Sequence, residues 1–352
     1  LEATQFSTTT KLSGYTAWVA GATEGYDGDA NEAFTVNYDL RLKLATSFTG
    51  KDMLTTVLRA GNFDDSIFGS GLTFVETAFA SGNSVKIGRL FYTFPIGEDL
   101  KITVGPRVRT DDASMYAGYA TYYPSDLLLD FFTYGGAWAT NNLANLGAGL
   151  GAVYTFGDSG FKVSGNYVAF NANKSMAGGI GTDETSSTSS WQLFYEGELL
   201  DGMLLASAGY AYAQNVGLTI GTQSALDVAG AGDRQGWSLA AAWKPSDPGF
   251  IPSISGGFSQ SFDLTGTDDA LEAWYVGVEW DDVFMEGNSF GTAIGESPNN
   301  GVEDFSGIWE IFYKFQVTDN ITVTPTAFKA YDDTSSVGDE LYGAYVKTTF
   351  RF

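Results

Sequence analysis

The chain has 352 residues, 44% of them hydrophobic, a net charge of −24, and neither cysteine nor histidine. Those counts exclude a disulfide framework, thiolate and imidazole metal sites, and the Ser-His and Cys-His nucleophile systems. The acidic balance argues against nucleic acid as a partner, and no run of about 18 apolar residues encodes a transmembrane helix.

Taken in chain order, sixteen segments read as strands: 8–20, 33–48, 53–60, 85–94, 100–109, 146–156, 161–170, 189–200, 204–215, 234–245, 252–262, 272–283, 289–297, 305–317, 321–332 and 340–352. The second shows the pattern best. Phe34, Val36, Tyr38, Leu40, Leu42, Leu44 and Phe48 alternate with Thr35, Asn37, Asp39, Arg41, Lys43 and Ser47. A period of two sends these sets to opposite faces. The last segment repeats it, with Tyr342, Val346, Phe350 and Phe352 against Lys347, Thr349 and Arg351. Strands with one oily and one wet face, and nothing left over to cover the oily one, imply a lipid cover. A closed barrel is the strand architecture that satisfies its backbone inside a membrane. The 44 glycines and 15% aromatic content suit strand bends and interfacial girdles.

The connections alternate in length. Short turns such as Thr49-Gly-Lys-Asp52, Gly157-Asp-Ser-Gly160 and Glu286-Gly-Asn288 carry the residues that tight turns require. The intervening segments are longer and polar or acidic, 61–84 and 110–145 most of all. Leu72–Phe79 alternates like a strand, but counting it gives an odd total, so 61–84 is read as a loop. Pro106 and Pro325 fall inside strands, where each forfeits a ladder bond; bulges or rim positions are expected. The expected organisation is therefore all-β: a 16-stranded antiparallel transmembrane barrel over 8–352 with an inward-folded constriction loop. Residues 1–7 read as a linker from a missing upstream segment. With no basic, apolar leader at the start, the chain reads as mature or cut from a longer precursor.

Ten of the 18 basic residues fall within 1–109: Lys11, Arg41, Lys43, Lys51, Arg59, Lys86, Arg89, Lys101, Arg107 and Arg109. Lys101, Thr103, Gly105, Arg107 and Arg109 share one face of their strand, opposite Leu100, Ile102, Val104 and Val108. A charge aimed at hydrocarbon costs about 2–4 kcal/mol at the midplane, so Arg41, Lys43, Arg59, Arg89, Lys101, Arg107 and Arg109 are expected to line a pore as a positive wall. The 110–145 loop follows directly. Folded inward, its Asp111, Asp112, Asp126 and Asp130, with Tyr123, would form a constriction with a transverse field. Tyr123–Phe132 reads as a short helix capped by Ser125 or Asp126. Glu196, Glu198, Glu279, Asp281 and Glu310 alternate inward elsewhere with few basic partners, a more acidic side. Asp27-Gly-Asp-Ala-Asn-Glu32 opens like a calcium loop but lacks the turn glycine and distal glutamate. Thr49-Gly-Lys-Asp52 lacks the P-loop's first glycine and its Ser/Thr, and reads as a hairpin turn.

Three segments carry a resemblance: Arg89-Leu-Phe-Tyr-Thr-Phe-Pro-Ile-Gly97, Val104-Gly-Pro-Arg-Val-Arg-Thr-Asp-Asp112, and Tyr123-Pro-Ser-Asp126 with Leu129-Asp-Phe-Phe132. In these the chain resembles cyanobacterial outer-membrane porins of the OprB-type carbohydrate-selective group. The resemblance implies a trimeric sixteen-stranded barrel in the outer membrane, passing ions, iron salts or small sugars. Members of that group usually carry an N-terminal S-layer homology domain that grips the cell wall. Such a domain is not in this sequence, so wall attachment is not part of the expectation.

The expected function is a passive diffusion channel for inorganic ions and small hydrophilic solutes, with no cofactor, no metal and no reaction. Its expected partners are outer-membrane lipid, lipopolysaccharide, the solutes and two further copies. One rival is a sugar-selective channel in which Tyr116, Tyr119, Tyr122 and Tyr123 stack on sugar rings. Another is a largely plugged barrel tethering membrane to wall, and a third is a barrel hydrolase, made remote by the lack of histidine.

Overall fold

The computed structural model describes residues 9–26, 32–69, 71–124, 129–141, 146–217, 232–247, 249–262, 270–299, 307–331 and 337–352. Sixteen antiparallel strands close into one barrel in chain order, β1 meeting β16. They are β1 Thr10–Tyr26, β2 Thr35–Thr46, β3 Met53–Gly61, β4 Lys86–Ile96, β5 Leu100–Val108, β6 Gly147–Thr155, β7 Phe161–Ala169, β8 Ser187–Leu199, β9 Gly202–Gln214, β10 Arg234–Pro245, β11 Ser253–Phe262, β12 Leu271–Asp281, β13 Ser289–Asn299, β14 Gly307–Thr318, β15 Ile321–Ala330 and β16 Val337–Arg351. Each expected strand is present, and the short and long connections alternate as read. Gly14 and Phe352 exchange backbone hydrogen bonds of 2.8 and 3.0 Å, which brings the chain end to the short-turn rim.

The alternation becomes two faces. Leu12, Trp18, Val36, Leu150, Leu193, Leu239, Ile254, Val276, Ile294 and Val346 lie exposed on the outside. Asp39, Thr55, Thr103, Asn166, Gln192, Ser255 and Glu310 are buried on the inside. Aromatics collect toward both strand ends. Tyr154 with Phe156, and Phe161 with Tyr195, are near the short turns, and Trp191 stacks on Tyr210 near the long loops. Such an exterior matches a hydrocarbon layer between two polar interfaces. In the β2 register Leu42 faces Leu58 and Lys43 faces Val57. Single cysteines at Leu42 and Lys43, placed in this cysteine-free chain and labelled with a spin probe, should report lipid at the first and water at the second. The reverse pattern would mean a register slipped by one residue.

The turn 47–52 is organised by Asp52, whose Oδ1 accepts from the amides of Phe48 and Thr49 and from Ser47 Oγ. Tyr92 donates its hydroxyl to Oδ2, and with the turn bonds this holds the carboxyl below the usual carboxylate range. Pro106 sits where the β5–β6 register shifts between Gly105 and Val108, the expected bulge. Pro325 makes no bulge. The β14–β15 pairing passes from Phe312↔Thr326 to Phe315↔Val323 with its register kept, and only the ladder beside the proline lapses.

Inside the barrel two loops line the wall. The 61–84 loop contains two short 3-10 turns, Ile67–Gly69 and Gly71–Thr73, and no strand. Its Phe68 packs edge-on to Tyr345 of β16 at 5.5 Å, and its Ser66 donates to Asn37 of β2. The 110–141 segment runs along the other side from β5 to β14. Asn166 donates to the carbonyls of Thr110 and Met115, and Ser164 receives the Ala117 amide. Gln192 bonds both the N–H and the C=O of Gly118, and Ser255 receives the amides of Tyr122 and Tyr123. The loop lies flush because the wall offers no side chain beneath it: a Cβ on Gly136 (φ +76°) would sit 2.5 Å from the Gly257 backbone. A 3-10 turn, Asp130–Tyr134, and one helical turn, α1 Trp138–Asn141, replace the expected helix over Tyr123–Phe132; residues 125–128, with both proposed caps, lie outside the described residues.

The two loops meet at an isolated bridge, Val75↔Leu129, with the Asp130 amide donating to the Phe74 carbonyl at 2.7 Å. Together they form a collar on the inner wall. Its apolar side, with Phe63, Phe68, Leu72, Leu129, Phe131, Phe132 and Trp138, packs against Tyr275, Phe312, Phe328 and Tyr345. Each fully buried aromatic of this kind stabilises the loop by about 1.5–3 kcal/mol, so the collar is a core element of the barrel.

Candidate functional site

The polar side of the collar faces the arginine wall. Asp39 is fully buried and accepts from both neighbouring arginines: Arg41 Nε at 2.9 Å, and Arg59 Nε and Nη2 at 2.8 and 2.9 Å. Asp39 and Arg41 share a strand face at a spacing of two, and Arg59 lies directly opposite Arg41 on β3. Arg41 also stands over the Tyr15 ring at 5.1 Å, and Arg59 over Phe79 at 4.3 Å. The long loop supplies the next two pairs. Arg89 binds Asp112 at 2.6 Å, and Arg109 binds Asp111 at 2.6 Å. Burial alone would raise the Asp111 carboxyl, but the Arg109 guanidinium and the Tyr119 hydroxyl outweigh it and hold Asp111 below its ordinary value. For Asp112 burial wins over Arg89, and its carboxyl is raised.

Arg41, Arg59, Arg89 and Arg109 are thus each neutralised locally by a carboxylate, while their side chains keep partial access to the lumen. Arg107 departs from the reading. The β5 bulge reverses the side-chain alternation, so Val108 becomes fully buried against Phe91 and Met115. Arg107 instead pairs with Leu90, on the face opposite Arg89 and Phe91. The physical reason is the extra residue of the bulge, which shifts the two-residue period by one.

Lys43 and Lys101 face the lumen one layer nearer the short turns. With Lys11 and Lys51 they line a cavity of about 610 Å³. Of the loop residues, Tyr123 and Asp130 do not face open space. Tyr123 is buried and donates its hydroxyl to Glu310 Oε1 at 2.9 Å, while the Leu129 amide reaches Glu310 Oε2 at 3.2 Å. Glu310, read as pore lining, is an anchor for the loop. Asp126 lies outside the described residues. Tyr119 and Tyr122 keep partial access, whereas Tyr116 and Tyr123 are buried.

The acidic side is better balanced than the sequence suggested. Lys162 pairs with Glu196 at 3.2 Å and Lys244 with Asp281 at 2.6 Å. Lys314 faces Glu279 in the same sector. These lysines lie on neighbouring strands, far in sequence from the acids they meet, which is why the linear pattern hid them. The anchors Asn166, Gln192 and Ser255 were missed for a similar reason, since small polar residues on an inner face look like ordinary lining. The inward glycines beneath the loop, Gly257 and Gly277, were the available signal.

Asp130 is buried where the two loops meet, with the Glu76 carboxyl within hydrogen-bonding reach, and its own carboxyl is raised well above the ordinary value by burial first and Glu76 second. Arg109, Asp111 and Tyr134 face the same spot. A carboxyl raised in the folded state binds more protons there than in the unfolded chain. Its penalty is absent below the unfolded value of about 3.9 and grows as pH rises toward the folded value. Asp130→Asn should therefore leave stability unchanged in acid and increase it at neutral pH. Thermal unfolding in detergent across pH 4–8 checks this; parallel pH curves for the two proteins would contradict it.

Comparison with known proteins places this geometry. No family model matches the chain. It is 30% identical to the uncharacterized protein alr4550 of Nostoc sp. (strain PCC 7120), over 100% of this chain and 67% of that protein. The chain belongs to the same family as alr4550. It is also 26% identical to the uncharacterized protein sll0772 of Synechocystis sp. (strain PCC 6803), covering 70% of it. Among solved structures, Pseudomonas putida OprB superposes with a TM-score of 0.71 at 16% identity, over 98% of this chain and 94% of that one. OmpF of Salmonella typhi, solved with daunomycin, gives 0.61 at 13% over 98% of each chain. An engineered Rh. blastica porin gives 0.56 at 15%, over 97% of this chain and 100% of that one. The barrel has the porin fold.

Proposed function

We propose that this protein is a passive diffusion channel of the bacterial outer membrane, carrying inorganic ions and small hydrophilic solutes as a homotrimer set in lipid and lipopolysaccharide. The observation that carries the reading is the division of the wall. A closed barrel with an apolar exterior encloses charged groups, Arg41, Arg59, Arg89 and Arg109 against Asp39, Asp111 and Asp112, beside a loop bonded to the inner face. Charge placed inside an oily shell is costly unless water reaches it, and water that reaches it from both ends is a pore. Opposed fixed charges around a narrow passage orient dipolar solutes and filter ions by sign.

The plugged structural barrel is the second reading, favoured by the apolar packing of both loops against β12–β16 and β1. Planar-bilayer recording separates the two. Stepwise conductance increments in salt support the channel, and a silent, correctly folded barrel supports the plug. Sugar selectivity would rest on Tyr119 and Tyr122, and would show as a saturable block of the ion current by small sugars.

A further inference from the structure

We propose that the lumen layer formed by Lys11, Lys43 and Lys101 is an anion-binding site for small multivalent oxyanions such as inorganic phosphate or sulfate. The proposal builds on the channel reading and names what that channel concentrates. Lys11 stands on β1, Lys43 on β2 and Lys101 on β5, all on the inward parity, and Lys51 joins them from the neighbouring turn. They line one cavity of about 610 Å³, into which the long loop contributes Ser114.

The charge balance of this cavity is unusual for the chain. Acidic residues outnumber basic ones 42 to 18 overall, yet Asp52 is the one carboxylate among the residues lining this space. That carboxylate is occupied by Ser47, Phe48, Thr49 and Tyr92. None of the ion pairs among the described residues involves Lys11, Lys43, Lys51 or Lys101. The contrast with the layer above is direct, since there every arginine that faces the lumen has its own aspartate. Like charges sharing an enclosed space repel, and an anion entering it relieves that repulsion. Lysine ammonium groups, with three rotatable donors on long stems, can close on an oxyanion of varied shape. Lipid phosphate is excluded as the occupant, because the site lies inside the closed wall. A bound multivalent anion would be released on passage, since several flexible contacts give weak, fast-exchanging binding.

The test uses the full chain, folded in detergent at about 10 mM salt, where screening is weak. Equilibrium dialysis with labelled inorganic phosphate reads the site whether or not the barrel conducts. The triple variant Lys11→Gln, Lys43→Gln, Lys101→Gln should bind phosphate at least about tenfold more weakly, equivalent to about 1.4 kcal/mol. Lys86→Gln, on the same wall but outside the cavity, should bind as the parent does. In bilayers the triple variant should also move the reversal potential toward cations. The proposal is overturned if the parent binds no phosphate or sulfate, or if the triple variant binds as tightly as the parent. Binding that is lost in the triple variant, from a barrel that carries no current, would uphold the site and remove the channel reading.

Discussion

Glu310→Ala is expected to free the inner loop from the β14 wall. Two buried donors, the Tyr123 hydroxyl and the Leu129 amide, lose their acceptor at once. An orphaned buried donor costs about 1–3 kcal/mol, so the loop should lose about 2–5 kcal/mol of anchoring. Tyr123 lies between Phe132 and Phe312, with ring centroids 6.0 and 5.8 Å away, and the packing on either side should loosen with it. Limited proteolysis should cut within the 110–141 segment of the variant much faster than in the parent, and the single-channel record should become noisy and larger in amplitude. Glu310→Gln keeps one acceptor oxygen and should fall between. Unchanged protease protection in the alanine variant would show that the apolar packing alone holds the loop.

Asp39→Asn should produce the largest change in selectivity. Asp39 is inaccessible to solvent and binds two guanidiniums. Removing its charge leaves Arg41 and Arg59 facing each other across β2 and β3 with no local counter-charge. Breaking a fully buried pair in this way costs about 3–5 kcal/mol; the partial access of both arginines to the lumen should bring this to about 2–3 kcal/mol. The freed positive charge lies in a narrow space, where it is screened less than in bulk salt. The reversal potential in a salt gradient should therefore move toward anions, while the barrel still folds. A reversal potential equal to that of the parent would mean that the permeating ions do not pass this cluster. Local pairing overrides total charge here, so the −24 of the chain says little about what the pore prefers.

The wall itself was legible in the sequence. Sixteen strands, their alternating short and long connections, the outward leucines of β2 and the inward Arg41 and Lys43 follow from a period of two and from turn chemistry. Both are local properties, fixed within a few residues along the chain. The bulge at Pro106 was legible as well, but its consequence for Arg107 was not. A single inserted residue reverses every side chain beyond it, and the pairing Leu90↔Arg107 exists only between strands.

Which charges cancel was likewise beyond the sequence. Asp39 with Arg59, Arg89 with Asp112, and Lys244 with Asp281 join residues from separate elements. The collar is the clearest case. The 61–84 loop showed only that it was not a strand, and 110–145 only that it was long and acidic. That both fold inward, meet at Val75 and Leu129, and seal against Tyr275, Phe312 and Tyr345 depends on the curvature of a closed sheet. Sequence alone determined the wall and its two faces, because strand alternation and turns are written residue by residue. Tertiary structure alone decided which charges remain unpaired in the lumen, because closing the barrel sets the partners.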